Sequence, residues 1–342
     1  MTHSYEADTA DQVWRAAASE LNGRGGTKAQ TGRGGITQEL LHVVFTIRDP
    51  RQRWVVSRHP AINPAFAIAE VVWILNARND AAFVNHWNPR LPQYAGNVDS
   101  YHAAYGFRLR KEFGFDQLER AYSALSNNPD TRQIVLQIWD PQIDFPDSSG
   151  QPVSSDIPCN VCALPKIREN KLEWLQIMRS NDLQRGLPYN FVQFTCLQEI
   201  MAGWLGVEVG DYCHISDSLH VYEKDAADLR AITPVEEAPS TDSLALARDE
   251  SEAVLSEMNR LMSEMIVPEL SRKTLCSLLS SELLPLAYQN LLRVVAADSA
   301  RRRGWSEVSE ELMTECNNSA LVQAWEGWTA RCRAQQKPPV TI

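Results

Sequence analysis

Between Thr131 and Tyr222 the chain sets out a thiol, a guanidinium, a carboxamide and a His-x-Tyr pair in close succession. Cys159 stands in Pro158-Cys159-Asn160, and Arg179 opens Arg179-Ser180-Asn181-Asp182. Asn190 ends Gly186-Leu187-Pro188-Tyr189-Asn190, and His220 and Tyr222 close the stretch. A cysteine in a core strand is ordinarily a small buried hydrophobe. With an arginine near it in space, its thiol pKa falls and it becomes a nucleophile. Ser180-Asn181-Asp182 is good turn chemistry, yet guanidinium plus hydroxyl is also a phosphate clamp. His220 and Tyr222, at i and i+2, share one face of a strand and suit two hydrogen bonds to a sugar hydroxyl. Each group alone has a structural explanation; in this order they specify a site that modifies a nucleotide. Cys159 and Cys162 also spell C-x-x-C, but on a strand residues three apart point to opposite faces. No second C-x-x-C completes a zinc site either, so zinc and disulfide chemistry are set aside.

The elements that must position these groups follow from periodicity. Strands are expected over residues 132–139, 159–167, 172–179 and 207–214, with a long apolar helix over 188–205. Upstream, a helix over 8–21 takes Asp8 or Thr9 as its N-cap and stops at Gly23. Residues 23–35, rich in Gly and carrying Arg24, Lys28 and Arg33, read as a mobile surface loop. A buried strand is expected over 40–47, and residues 65–77 form an apolar helix with one acid, Glu70. That carboxylate costs several kcal/mol if charged and unpaired, so it is exposed, paired or functional. Residues 81–106 are loop-rich and aromatic, and 115–125 form an amphipathic helix ended by Asn127-Asn128-Pro129. Strands separated by long helices without strict alternation indicate an α+β fold, a sheet backed by helices.

From about Ile232 the composition changes to an acidic linker. Ala247, Ser251, Val254, Met258, Leu261 and Met265 then repeat at 4-3-4-3-4, the seam of an amphipathic helix. Three parts are expected: residues 1–232 as the catalytic domain, 233–337 as a helical C-terminal extension, and 338–342 as a separate tail. The 342 residues are 44% hydrophobic and 22% charged, as in an ordinary globular protein. A net charge of −10 disfavours broad binding to a nucleic-acid backbone. Seven cysteines without a framework, no leader-like segment and no membrane-length apolar run indicate a thiol-reduced cytoplasmic protein.

These motifs together resemble the thymidylate synthase family, in which a one-carbon unit passes from methylenetetrahydrofolate to C5 of a pyrimidine deoxynucleotide. The resemblance is carried by Asn128-Pro129-Asp130-Thr131-Arg132, Pro158-Cys159, Arg179-Ser180-x-Asp182, Gly186-Leu187-Pro188-Tyr189-Asn190 and His220-x-Tyr222. Glu70-x-x-Trp73, Tyr105-Gly106, the position of Arg33 and the terminal Pro339-Val340-Thr341-Ile342 add to it. It spans roughly residues 30–225 and the tail, which is expected to close over the folate. The resemblance implies that Cys159 adds to C6 of the pyrimidine and makes C5 the nucleophile. Arg179, Ser180 and Arg33 would hold the 5′-phosphate, with Arg132 reaching in from the other subunit of a homodimer. His220 and Tyr222 would bind the 3′-hydroxyl. Asp182, Trp87 and Ile342 would contact the folate, and Glu70 would organise water and proton transfer. Asn190 would read the base: its amide gives a donor to O4 and an acceptor to N3–H, which matches uracil and points to dUMP. An aspartate there would suit cytosine, as in the related phage deoxycytidylate hydroxymethylase. The co-substrate is 5,10-methylenetetrahydrofolate, and no metal is called for.

The chain departs from that pattern at four places. Asn160 stands where the synthases have histidine, and Gln133 replaces the second arginine of a pair. Met178-Arg179-Ser180-Asn181-Asp182 resembles the phage hydroxymethylase version, and residues 232–337 have no counterpart. These departures favour 5-hydroxymethyl-dUMP as the product, in a phage or specialised pathway. Thymidylate synthesis is the close alternative, ahead of dCMP hydroxymethylation and of an inactive nucleotide-binding scaffold.

Overall fold

The structure, a computed structural model, describes residues 3–23, 27–32, 34–232 and 234–336, with Gln336 by its backbone alone. Arg24, Arg33 and the 338–342 tail with Ile342 therefore lie outside the described residues. The chain opens with β1 (His3–Ala7), α1 (Ala10–Gly23), β2 (Lys28–Gly32) and β3 (Gly35–Ile47). Then come α2 (Pro64–Leu75), α3 (Ala81–Trp87), the single turns α4 (Pro92–Ala95) and α5 (Tyr105–Phe107), and α6 (Gln117–Asn127). The strands β4 (Leu136–Gln137), β5 (Asn160–Arg168), β6 (Lys171–Met178) and β7 (Asn181–Asp182) precede α7 (Leu187–Leu205) and β8 (Glu208–Tyr222). Helices α8 (Ala226–Arg230), α9 (Arg248–Met265), α10 (Arg272–Leu278), α11 (Leu286–Arg302), α12 (Ser306–Thr314) and α13 (Ser319–Gln336) complete the chain. The fold is α+β, as the motif pattern and element order predict.

Among the described residues the strands form one sheet in the order β1-β3-β8-β6-β5-β4, with β2 on β3 and β7 on β8. The long strand β8 is its axis. It runs antiparallel to β3, and parallel first to β6 and then to β7. Alternation along β8 turns Tyr212, His214 and Ser216 inward, towards Phe45 and Phe191, where α1 and α7 cover the sheet.

Helices α2 and α7 are buried nearly all round. A helix without a polar stripe must be enclosed on every side. Accordingly α7 packs between β6, β8, α2 and α9, while α2 is wrapped by α3, α7, α9, α11 and α13. The C-terminal helices thus supply the cover that α2 needs. Of the expected seam, Ser251, Val254, Met258, Leu261 and Met265 are buried on α9, joined by Leu255 and Met262, while Ala247 lies exposed just before the helix. Side-chain caps fix where several of the helices begin, α1 and α2 among them. Asn63 Oδ1 accepts from Phe66 N (3.2 Å) at the head of α2, and Thr9 Oγ1 accepts from Gln12 N (3.2 Å) at α1.

Three expectations about elements are corrected. The strand over 132–139 shrinks to two residues, because the Gln117 carboxamide takes both Gln137 N (2.7 Å) and Gln137 O (2.9 Å) and satisfies backbone that a ladder would use. The glycine-rich stretch 23–35 contains a strand, Lys28–Gly32, paired from Lys28 with Glu39 to Gly32 with Gly35. The strand expected to end at 214 continues to Tyr222, so His220 and Tyr222 sit on β8 itself.

Chain packing also explains Gly106. A Cβ there would lie 2.1 Å from the Ile74 carbonyl oxygen and 2.4 Å from Ile74 Cα, so α5 meets the C-terminal turn of α2 backbone to backbone. Gly106→Ala should cost about 3 kcal/mol or more, seen as a lower midpoint in urea with an unchanged slope.

Candidate active site

Strand order brings the predicted residues together. Cys159 immediately precedes β5, and Arg179 immediately follows β6, the strand paired with β5. Arg179 N donates to Cys159 O (2.9 Å), and its guanidinium donates to Pro158 O (2.9 Å) and Ile157 O (3.2 Å). These carbonyls neutralise no charge, so an exposed cation is tied beside the thiol. Pairing of β7 with β8 sets Asp182 opposite His220, and Leu183 N donates to His220 O (2.8 Å). His220 and Tyr222 lie with their rings 5.7 Å apart and nearly perpendicular. Arg185 stacks over Tyr222 at 4.7 Å. Gly34 passes so close to that ring that a Cβ would stand 2.8 Å from it.

One solvent-open cavity of about 1280 Å³ is lined by Glu70, Trp87, Cys159, Arg179, Ser180, Asp182, Asn190, His220 and Tyr222. Its volume exceeds the range of about 300–1,000 Å³ usual for a single small ligand, and leaves room for two molecules side by side. Arg132 is exposed and is not part of the lining. Trp87 borders the cavity with its ring fully buried, its carbonyl accepting from Asn63 Nδ2 (3.0 Å) and Arg302 Nη2 (2.6 Å).

Three groups in the wall are electrostatically poised. Glu70 projects from α2 into the cavity; its Oε2 is sealed from solvent without a hydrogen-bond partner. Burial raises its pKa to about 8, against a smaller opposing pull from Gln193. The expectation of an acid that is exposed, paired or functional therefore resolves to a carboxyl that is mostly protonated at neutral pH. Tyr105, near Cys159 and Glu70, is held well above an ordinary phenol by burial first and then by those acidic neighbours. Asp182 Oδ1 caps the turn by accepting from Gln184 N and Arg185 N (both 2.8 Å). Its Oδ2 is buried without a hydrogen bond, and burial raises the carboxyl's pKa against the opposing charges of His220 and Arg185. Such orphaned acceptors fit a ligand bearing N–H donors. Among the described residues no group of His, Cys, Asp or Glu side chains is placed to hold a metal ion. No described helix is long and apolar enough to cross a membrane.

The structure adds residues that the motifs did not identify. Arg58, nearly buried, donates to the carbonyls of Gln184 (2.5 Å) and Pro60. Arg331, from α13, donates to that of Ala61 (2.6 Å). Burial lowers the pKa of Arg58, and the Arg331 charge adds to the effect. Both line the cavity with Trp328, so the C-terminal helices form part of its wall. Gln193 could have been found by the reasoning that singled out Glu70, a polar side chain on an otherwise apolar helix. Arg331 and the Ala61 carbonyl it meets are 270 residues apart in the chain, and nothing in the local pattern joins Arg331 to Arg58.

Comparison with known proteins agrees with this geometry. Residues 16–264 match the family model for thymidylate synthase. Over 204 residues the chain is 37% identical to the deoxyuridylate hydroxymethyltransferase of Bacillus phage SP01, covering 56% of this chain and 52% of the relative. It is 36% identical over 177 residues to the enzyme of the same name from Pseudomonas phage M6, covering 51% and 49%. A putative thymidylate synthase of Methanothermobacter marburgensis is 27% identical over 239 residues, covering 68% of this chain and 98% of the relative. The chain thus spans about half the length of the phage relatives it matches.

The raised pKa of Glu70 has a consequence for stability. The folded state holds this proton more tightly than the unfolded chain does, so the carboxyl imposes no cost below the unfolded value near 4.5. Stability is then lost as pH rises towards about 8. Glu70→Gln should leave stability unchanged near pH 4. It should become stabilising, on the order of a few kcal/mol, by pH 8, measured by urea unfolding across that range.

Proposed function

Because the chain belongs to the thymidylate synthase family, we propose that it transfers a one-carbon unit to C5 of dUMP and releases 5-hydroxymethyl-dUMP. The observation carrying this reading is one cavity that holds the Cys159–Arg179 pair, a largely protonated Glu70, the Asn190 carboxamide and the His220–Tyr222 pair. In it the Cys159 thiolate adds to C6 of the pyrimidine and pushes electron density to C5. Arg179 and Ser180 hold the 5′-phosphate, together with Arg33 and the partner subunit's Arg132. His220 and Tyr222 take the 3′-hydroxyl, and Asn190 takes O4 and N3–H of uracil. Glu70, protonated at neutral pH, holds and delivers protons at the base.

The family's folate supplies the carbon at the oxidation level of formaldehyde. Asp182, with its orphaned Oδ2, and Trp87 and Ile342 would hold it, and the Arg58–Arg331 wall suits the carboxylates it carries. Residues 233–337 then act as an extension that both covers α2 and completes this wall. With water as the nucleophile that captures the methylene on C5, dUMP, methylenetetrahydrofolate and water give 5-hydroxymethyl-dUMP and tetrahydrofolate. With hydride from the folate they give thymidylate and dihydrofolate. The names of the phage relatives and the departures at Asn160, Met178 and Asn181 favour the first outcome. The match along nearly the whole Methanothermobacter relative supports the second as the alternative. Folate and nucleotide pools and reduced thiols agree with a cytoplasmic site of action, the host's if the protein is a phage product.

A homodimer is part of this proposal. On the sheet face turned away from α1 and α7, Val44, Ile215, Ile177 and Cys162 align across four strands, with Cys213, Leu175 and Leu164 beside them. All are half-buried, and none packs into the hydrophobic core. A contiguous apolar face of this kind suits a second sheet. Ile215→Asp should therefore convert a dimer to a monomer in sedimentation; a monomeric wild type would defeat the idea.

Incubation with dUMP and methylenetetrahydrofolate, followed by dihydrofolate absorbance and nucleotide mass, tests the reaction. A hydroxymethylated product without dihydrofolate is expected. A methylated product with dihydrofolate supports the alternative, and no product overturns both. Cys159→Ser should abolish turnover while dUMP binding stays within a few-fold of wild type.

A further inference from the structure

Resting on the reading of Asn190 as the base-facing group, we propose that a buried hydrogen-bond chain, Tyr212–His214–Asn181–Asn190, fixes the orientation of the Asn190 carboxamide. It thereby selects uracil over cytosine, with Asn181 as the positioning residue. All four side chains are nearly or wholly buried: Tyr212 and His214 are 0% exposed, Asn181 2% and Asn190 6%.

The links run from strand to helix. The Tyr212 hydroxyl lies 2.9 Å from His214 Nδ1. His214 Nε2 lies 3.0 Å from Asn181 Nδ2, which also donates to Ser216 Oγ (3.2 Å). Asn181 Oδ1 accepts from Asn190 Nδ2 at 3.1 Å. Burial lowers the His214 pKa to about 3, so the imidazole carries one hydrogen at neutral pH. The Asn181 amide nitrogen facing Nε2 makes Nε2 the acceptor, which goes with the tautomer that carries its hydrogen on Nδ1, on the side of the Tyr212 oxygen. Tyr212 is itself held far above an ordinary phenol by burial and remains a hydroxyl. The edges of Phe45 and Phe191 lie against the imidazole at 6.1 and 5.5 Å and restrain its rotation.

The consequence falls on Asn190. Asn181 commits its nitrogen to His214 and Ser216, which leaves only its oxygen for Asn190. Asn190 must answer with nitrogen, because the reversed carboxamide would set two oxygens against each other where neither has a proton to share. Gly186 leaves room for this pair: a Cβ there would stand 3.0 Å from Asn181 Oδ1 and 3.6 Å from Asn190 Nδ2. Uracil presents an acceptor at O4 and a donor at N3; cytosine presents a donor at N4 and an acceptor at N3. The two bases therefore match opposite settings of one carboxamide. A site whose amide is locked admits one base and leaves mismatched donors and acceptors against the other.

The test compares binding of dUMP and dCMP by calorimetry, and kcat/KM for each with methylenetetrahydrofolate, in the full chain. Wild type should prefer dUMP. Asn181→Ala frees the Asn190 carboxamide to turn, so the dUMP:dCMP preference should fall at least about tenfold, with dCMP binding gained in absolute terms. Asn181→Asp keeps an oxygen facing Asn190 Nδ2, so it should retain the preference. An unchanged preference in the alanine variant, equal loss of both nucleotides, or a preference lost in the aspartate variant overturns the positioning role. If only one variant folds, its outcome decides alone. A wild type that prefers dCMP, or binds neither nucleotide, instead overturns the reading of Asn190 and of the reaction.

Discussion

Two helices with no polar stripe, α2 and α7, lie at the centre of the molecule, and neither can exist unless something apolar surrounds it. The sheet covers one side of α7, and α7 covers one side of α2. The remaining sides of α2 are closed by α3, α9, α11 and α13. Any acid carried on α2 is therefore forced either into this packing or into the cavity at its edge. Glu70 takes the second course, and the same enclosure that buries its neighbours raises its pKa to about 8. Enclosing the helix and poising the acid are one physical event.

The polar groups of the site depend on strand pairing in the same direct way. Because β8 runs on past Ser216, it carries its buried relay and its half-buried His220–Tyr222 pair along one strand. The short strand β7 docks against it and brings Asn181 and Asp182 to the same level. Arg179 reaches the carbonyls before Cys159 because β5 and β6 are neighbours. A slip of register at either pairing would turn these side chains to the opposite face of the sheet, so the site and the sheet order stand or fall together.

Much of this was legible from residue order. The strands β5 and β6 and the apolar helices α2 and α7 follow from periodicity, and the meeting of Cys159, Arg179, Asn190 and His220 in one cavity is what the family resemblance of their motifs implies. What was not legible has identifiable causes. Strand β1 is a five-residue polar-apolar alternation whose only signal is its parallel partner β3, some 40 residues away. The expected strand at 132–139 fails because one distant carboxamide, Gln117, intercepts its backbone. Arg58, Trp328 and Arg331 meet only in three dimensions. His214 sits at an inward position of a strand that reads as ordinary core, and nothing in its spacing to Asn181 or Asn190 announces the relay. Polar residues on apolar elements, Gln193 among them, are the signal most worth pursuing.

The C-terminal helices bear on how the cavity treats water. Arg302 of α11 donates to the Trp87 carbonyl, and Asp298 holds Arg301, Arg302 and the Trp328 indole together. This ties α11 and α13 to α3, at the rim that Arg331 and Trp328 share with the cavity. Closing a reaction site expels water and strengthens every charge interaction inside it; an open rim does the reverse. The rim is thus cross-linked by a half-buried ion cluster that joins three helices of the fold. In the proposed reaction, water and hydride would reach the one-carbon adduct through this opening, and its lining comes in part from residues beyond the stretch that matches the family.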